Sequence, residues 1–396
     1  MRIPAAAATV AALATVIPGA ALAPAPPAAA QDYPCAIPAP TPTPAAPAGA
    51  GEVRRFATGA GVRVAVIDTG VSPNAELSRL VPGADFVTPD APNPLFDCDG
   101  HGTVVAGIIG AASSGIAPDS EILAVRQTSS HYRNRRGGDT VETSGSVRSL
   151  AEAIHAALDE RARVLNISVV SCVDPRDVGA LDATVLHAAL NRAEQEGAVV
   201  VAAAGNVSEN CAQGSFVLPS HFPTVLAVGA RESAHELAGY SVSSPAESPP
   251  LSAPGAPGPG LSWSGDGFAR GSAIDRDTVT PFVGTSFAAP VVAGTVALLL
   301  ERHPHLSPAR VRDVVAAAAQ PSGGAVTPLA VVTHLAAEAP AAPAGSTPLV
   351  VEPAEVVASP APARGAFAGS VALLAALAAG CAAALVSRWR SGQTPG

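Results

Sequence analysis

Apolar residues run unbroken through Val64-Ala65-Val66-Ile67 and again from Val199 to Ala203, with no polar alternation. Runs of this kind, rich in β-branched residues, suit strands buried on both faces. Strands are therefore expected at Val62 to Ile67, Ile122 to Arg126, Val164 to Val169, Val199 to Ala203 and Val225 to Val228. Between them lie amphipathic stretches that predict helices from His101 to about Ala112, Val147 to Arg161, Val178 to Glu196, Ser286 to about Arg302 and Pro308 to Ala319. Ser307-Pro308 supplies a cap and a first-turn proline, and Gly197 and Gly323 stand where helices should stop. Short buried strands alternating with helices imply an α/β domain with a mainly parallel, doubly wound sheet between helical layers.

The pattern fails at both ends, where Ala and Pro dominate. Arg2, an uncharged Ala/Val stretch and Ala28-Ala29-Ala30 before Gln31 read as a signal peptide over residues 1–30; Ala21-Leu22-Ala23 competes as a cleavage point but is followed by Pro24. Residues 31–60 form an N-terminal extension whose first part, Gln31 to Ala50, has too little apolar periodicity to fold alone. The globular part is expected over 61–335, long enough to bury a large core. A Pro/Ala-rich linker over 336–365 should be extended. Ala366 to Val386 then runs about 20 residues without a charge, the length of a membrane span. Arg388 and Arg390, in a tail over 387–396, favour a cytoplasmic C-terminus and leave everything before Ala366 outside.

The net charge of −9 comes with no long basic run, so the footprint of a nucleic-acid binder is missing. Of five cysteines, Cys381 lies in the expected span. Cys35, Cys98, Cys172 and Cys211 remain on the exported side, where two disulfides are permitted and three pairings are open. No cluster has metal-site spacing, so neither a structural zinc nor any other cofactor is expected.

Three segments carry candidate chemistry. Asp68-Thr69-Gly70 closes an apolar strand in a turn, at the carboxyl edge of the sheet where α/β proteins place ligands. Taken singly, such an Asp more often hydrogen-bonds its own backbone. Asp99-Gly100-His101-Gly102-Thr103 puts an imidazole at a helix start between two glycines. Gly284-Thr285-Ser286-Phe287-Ala288-Ala289-Pro290 puts one serine, crowded by small residues, at the start of a long apolar helix. Together they supply an orienting acid, a base and a nucleophile in the order Asp, His, Ser. A fourth segment, Ala202-Ala203-Ala204-Gly205-Asn206, follows a buried strand and offers an amide donor for an oxyanion.

Those motifs, D-T-G, H-G-T-x-V-A-G and G-T-S-x-A-A-P-x-V-A-G, resemble the three signatures of the subtilisin-like serine peptidases over roughly Val62 to Ala319. The resemblance implies a three-layer subtilisin-like fold, a triad of Asp68, His101 and Ser286, and an oxyanion site at Asn206 with the Ser286 N–H. It also implies substrate contacts at Ser168, Val169, Ala203 and Gly205. Where many subtilisins have Ser-Leu-Gly-Gly, this chain has Ser168-Val169-Val170-Ser171-Cys172, which implies a narrower cleft that still takes extended peptide by strand addition.

The order of exported arm, catalytic domain, linker, span and basic tail further resembles the mycosins, the membrane-anchored peptidases of actinobacterial type VII secretion systems. The Ala/Pro bias agrees with such a source. That likeness implies an extension wrapped on the catalytic domain and pairings Cys35 with Cys98 and Cys172 with Cys211. It also implies a secretion complex as partner, and processing of exported proteins as the task, with a scaffold role as the alternative. The Arg/Gly-containing segment from Gln127 to Ser146 is expected to be a long inserted loop, with docking of a partner as one use.

Overall fold

The computed structural model describes residues 33–45, 49–134, 142–233, 235–245, 248–273 and 278–335. Seven strands make one parallel sheet: β1 Arg63–Asp68, β2 Leu80–Asp85, β3 Glu121–Arg126, β4 Val164–Ile167, β5 Val199–Ala203, β6 Val225–Arg231 and β7 Leu251–Pro254. Their spatial order is β7-β6-β5-β4-β1-β3-β2. From β1 the chain goes to the β2 edge, returns to place β3 between them, crosses to β4 on the far side of β1, and then builds outward to β7. The reversal places a crevice beyond the carboxyl end of β1, between β3 and β4.

Alternate residues of the unbroken apolar strands feed two separate cores. Val64 and Val66 join one cluster with Val105 and Ile109 of α1 (His101–Gly110) and Val292 and Leu299 of α4 (Thr285–Arg302). Ala65 and Ile67 face the other way, against Ile154 of α2 (Val147–Asp159) and Leu190 of α3 (Thr184–Gln195). Burial on both faces is why the strands show no alternation in sequence. Helices α5 (Pro308–Ala318) and α6 (Pro328–His334) complete the α4 side, α5 starting with Ser307 as cap and Pro308 in the first turn. Among the described residues, α4 alone is long and apolar enough to cross a membrane, but most of it is buried inside the domain. The expected signal peptide, linker, membrane span and tail lie outside the described residues.

Among the boundaries that differ from expectation, three have a local explanation. The helix expected over Val178 to Glu196 is a short 3-10 turn at Val178–Ala180 followed by α3, because Asp182 caps the Thr184 N–H in a local turn and breaks the run. The strand expected over Val164 to Val169 ends at Ile167, since Ser168 turns inward to bond Ser286. The segment from Gln127 to Ser146 is not wholly loop: Ser129–Asn134 pairs antiparallel with Glu142–Ser144.

The described residues of the N-terminal extension are bonded to the domain at several points. Ile37–Thr41 adds a strand antiparallel to Phe268–Ala273. Cys35 forms a disulfide with Cys98, and the second bridge joins Cys172 to Cys211. The Ala36 N–H donates to the Cys98 carbonyl, while the Trp263 indole N–H donates to the Ala36 carbonyl at 2.9 Å. Further along, the N–H groups of Thr58 and Gly59 both donate to the Glu301 carboxylate, at 2.7 and 2.6 Å.

Candidate active site

Asp68 is the last residue of β1, paired in register with Arg126 of β3 and fully buried. Its Oδ1 accepts the Thr69 N–H at 2.8 Å and lies 2.6 Å from His101 Nδ1. A carboxylate acceptor fixes the imidazole proton on Nδ1 and leaves the Nε2 lone pair free for an incoming proton. His101 opens α1, whose N-cap is Gly100 at φ 78° in the left-handed region. One residue on, a Cβ at Gly102 would come within 2.1 Å of the Gly70 carbonyl oxygen, so only glycine lets this helix come so close to the Asp68 turn.

Burial opposes charge on the imidazole. The Asp68 carboxylate and its hydrogen bond, with the charges of Asp97 and Asp99, outweigh burial and hold His101 above the ordinary histidine value. The ring also packs against Phe287, with centroids 5.1 Å apart. Ser286, the neighbour of Phe287, lies in the first turn of α4, where backbone N–H groups have no intrahelical acceptor.

Ser286 and Ser168 hold one another. The Ser286 hydroxyl donates to the Ser168 carbonyl at 2.9 Å, and the Ser168 hydroxyl donates to the Ser286 carbonyl at 2.9 Å. Asn166 Nδ2 donates to Ser168 Oγ and completes this support. The structure therefore joins Asp68 to His101 directly, while the Ser286 hydroxyl rests on Ser168.

Asn206 has a fixed orientation for a reason absent from its own motif. Its Oδ1 accepts both the Thr285 N–H at 2.9 Å and the Thr285 hydroxyl at 3.0 Å. Nδ2 is thereby left on the open side as a donor. A Cβ at Gly284 would press on that nitrogen at 3.0 Å, which accounts for glycine there.

The other expected contact residues fare unequally. Val169 is half-buried and lines, with Gln127, Val147, Leu150 and Leu218, a cavity of about 260 Å³. Ala203 is fully buried at the end of β5, so its side chain faces the core. Both backbone groups of Gly205 are taken: its N–H donates to Thr285 Oγ1, and its carbonyl accepts from Val242. Ser168 is buried, with its hydroxyl committed to Ser286. Sequence reasoning missed Asp97, which is buried and accepts hydrogen bonds from both the Asp68 turn and α1. Its one visible signal is its position four residues before His101 in a segment where each residue is polar, Cys or Gly.

The sequence profile of the subtilase family matches residues 59–340. Mycosin-1 of Mycolicibacterium smegmatis is 37% identical over 308 residues, covering 69% of this chain and 67% of that protein. The crystal structure of MycP1 from Mycobacterium smegmatis superposes with a TM-score of 0.69 at 33% identity, covering 82% of this chain and 94% of that one. A chain of an intact ESX-5 inner membrane complex gives a TM-score of 0.68 at 30% identity, covering 90% and 94%. With this sheet order and these likenesses, the chain belongs to the subtilase family of serine peptidases and, within it, to the mycosins.

Proposed function

We propose that the protein is a membrane-anchored, extracytoplasmic serine endopeptidase of a type VII secretion system, with Asp68, His101 and Ser286 as its triad. The observation that carries this reading is the 2.6 Å Asp68 to His101 contact beside Ser286, with the Asn206 amide held donor-outward. His101 Nε2 takes the proton as Ser286 Oγ attacks a peptide carbonyl. The Asp68 carboxylate orients the imidazole and stabilises the imidazolium that forms. Charge on the carbonyl oxygen is met by Asn206 Nδ2 and the Ser286 N–H. Protonation of the amine by His101 frees the first product, and water then attacks the acyl-enzyme by the reverse route.

Substrate is taken as extended chain along Ser168 to Val170, with Val169 facing the cavity toward Leu150 and Leu218. With Val170 and Ser171 in place of the two glycines common in subtilisins, the cleft is narrower and more selective, so casein-like generic substrates are cut slowly. The span over 366–386 holds the domain outside the membrane, and the substrates are proteins exported by the same system.

A second reading draws on the likeness to a chain of an ESX-5 inner membrane complex: the protein stabilises such a complex, and proteolysis is dispensable. Three measurements on the Ser286→Ala variant separate the readings. The peptidase reading expects altered termini among exported proteins, with loss of peptide turnover by the purified protein on the order of a millionfold. Wild-type turnover by the variant refutes the triad. Secretion that persists in its presence makes the scaffold role primary.

A further inference from the structure

The helix that carries His101 lacks an ordinary cap. Its N-cap is glycine, and its first turn holds no acidic side chain. The orphan N–H groups of such an end require an acceptor. Asp97, three residues before the cap, supplies one: Oδ1 accepts the Gly100 N–H at 2.8 Å, and Oδ2 accepts the Thr103 N–H at 2.8 Å and the Thr103 hydroxyl at 2.7 Å.

The same carboxylate reaches the other member of the pair. Asp97 Oδ1 accepts the Thr69 hydroxyl at 2.8 Å, and Thr69 is the residue whose N–H donates to Asp68 Oδ1. Thr69 Oγ1 in turn accepts the Gly102 N–H at 3.0 Å, and Thr103 Oγ1 accepts the Ser72 N–H at 2.9 Å. Two separate elements, the turn after β1 and the first turn of α1, thus share one buried anion. Relative sliding of the two would change the Asp68 to His101 contact directly, and Asp97 resists that motion at four hydrogen bonds.

We propose that Asp97 is a positioning residue for the triad, clamping the Asp68 turn to the His101 helix so that the imidazole keeps the geometry the reaction needs. This rests on the reading of Asp68, His101 and Ser286 as the reacting groups. Burial pushes the Asp97 carboxyl up to about 6, against the hydrogen bonds from Thr103 and Thr69. The group is therefore anionic at neutral pH, when all four bonds are donated to it, and its charge adds to those that favour protonated His101.

The flanking residues widen the consequence. Cys98 is bonded to Cys35 of the extension, and Asp99 accepts hydrogen bonds from Ser129 Oγ and from the Ser130 N–H and hydroxyl in the inserted hairpin. The clamp is thus anchored on both sides by segments outside the catalytic core.

The test uses the full-length protein purified in detergent and one quenched-fluorescent peptide, chosen from a library by wild-type turnover. Asp97→Asn keeps the volume but turns amide hydrogens toward donors. Thr69→Val cuts the link from Asp97 to the Asp68 turn and the acceptor of the Gly102 N–H, but leaves the Asp97 bonds to Gly100 and Thr103. The expected result for each folded variant is a fall in kcat of about 10-fold to 100-fold with KM within about twofold, as small misplacements of reacting groups produce. In Asp97→Asn the acid limb of the kcat/KM profile also moves to lower pH, because a charge favouring imidazolium is gone. The downfield proton resonance of His101 Nδ1–H shifts in both variants. Folded variants that lose thermal stability but keep wild-type kcat and the same acid limb assign Asp97 to folding alone and overturn the proposal. Ser286→Ala is run beside them: turnover surviving there would mean that the triad reading has failed, not the clamp.

Discussion

At the scale of single residues, the four groups assigned to chemistry were legible because each sits in a short motif with a glycine within two residues. Their supports were not legible. Thr285 is adjacent to Ser286, but only folding reveals that its N–H and hydroxyl fix the Asn206 amide, 79 residues away in sequence. Donor-outward orientation predicts that Asn206→Ala lowers kcat by about 10²-fold to 10³-fold with little change in KM, measured by steady-state peptide hydrolysis. Thr285→Val, which keeps the N–H contact and loses the hydroxyl, should give a smaller loss in the same direction. The pH dependence follows from His101. The base must be neutral, and its pKa is raised above the ordinary histidine value by Asp68 and its neighbours against burial. Activity is then lost as pH falls through that raised pKa, so the acid limb of kcat/KM should lie above pH 6.5, the ordinary histidine value. A limb below 6.5 would contradict the charge balance described for the site.

At the scale of elements, the five strands read from apolar runs all exist, whereas β2 and β7 escaped notice. β2 is an edge strand interrupted by Pro82 and Gly83, with a register shift between Pro82 and Asp85, so its pattern is that of a turn. What fastens β2 is an ion pair at its end. Asp85 and Arg126 meet at 3.3 Å with both side chains buried, and the guanidinium lies over the rings of Phe96 and Tyr132. Burial raises the Asp85 pKa, but N–H groups of Asn93, Thr88 and Val87 and the Thr88 hydroxyl outweigh it, for a net lowering. A depressed carboxylate contributes stability above its unfolded-state pKa and loses it as pH falls through the folded value. Asp85→Asn should therefore destabilise the domain by about 3 kcal/mol near pH 7, because it leaves Arg126 buried and unpaired. The gap from wild type should narrow only in strong acid, where wild type itself takes up the proton. Urea unfolding at the two pH values measures both quantities. The extension invites a parallel test. Cys35→Ser with Cys98→Ser opens a bridge of sequence separation 63 and should cost about 2–4 kcal/mol. Because Cys98 adjoins Asp97, turnover by the still-folded double variant should fall as well.

At the scale of the whole molecule, composition sets a middle region apart, since a dense apolar core needs a sequence that Ala/Pro-rich ends do not supply. The family match runs over residues 59–340. What composition underrated is the arm: Ile37–Thr41 reads as unstructured because three of its five residues are Ala or Pro. Its order comes from a partner strand, a disulfide and the Trp263 indole, all distant in sequence. Every residue assigned to catalysis, and both bridges, fall between Cys35 and Ser286, before the linker and the expected span. Activity and membrane attachment should therefore separate cleanly. A chain ended after Leu335 is expected to leave the membrane fraction for the soluble one, under conditions where the full-length protein resists carbonate extraction. Its kcat and KM on a short peptide should match those of the detergent-purified full-length protein, because every group assigned to the site precedes the cut. If the truncated chain stays in the membrane fraction, the anchor is not where the uncharged run places it. A truncated chain that folds, keeps both disulfides and hydrolyses nothing would instead mean that the C-terminal residues complete the site.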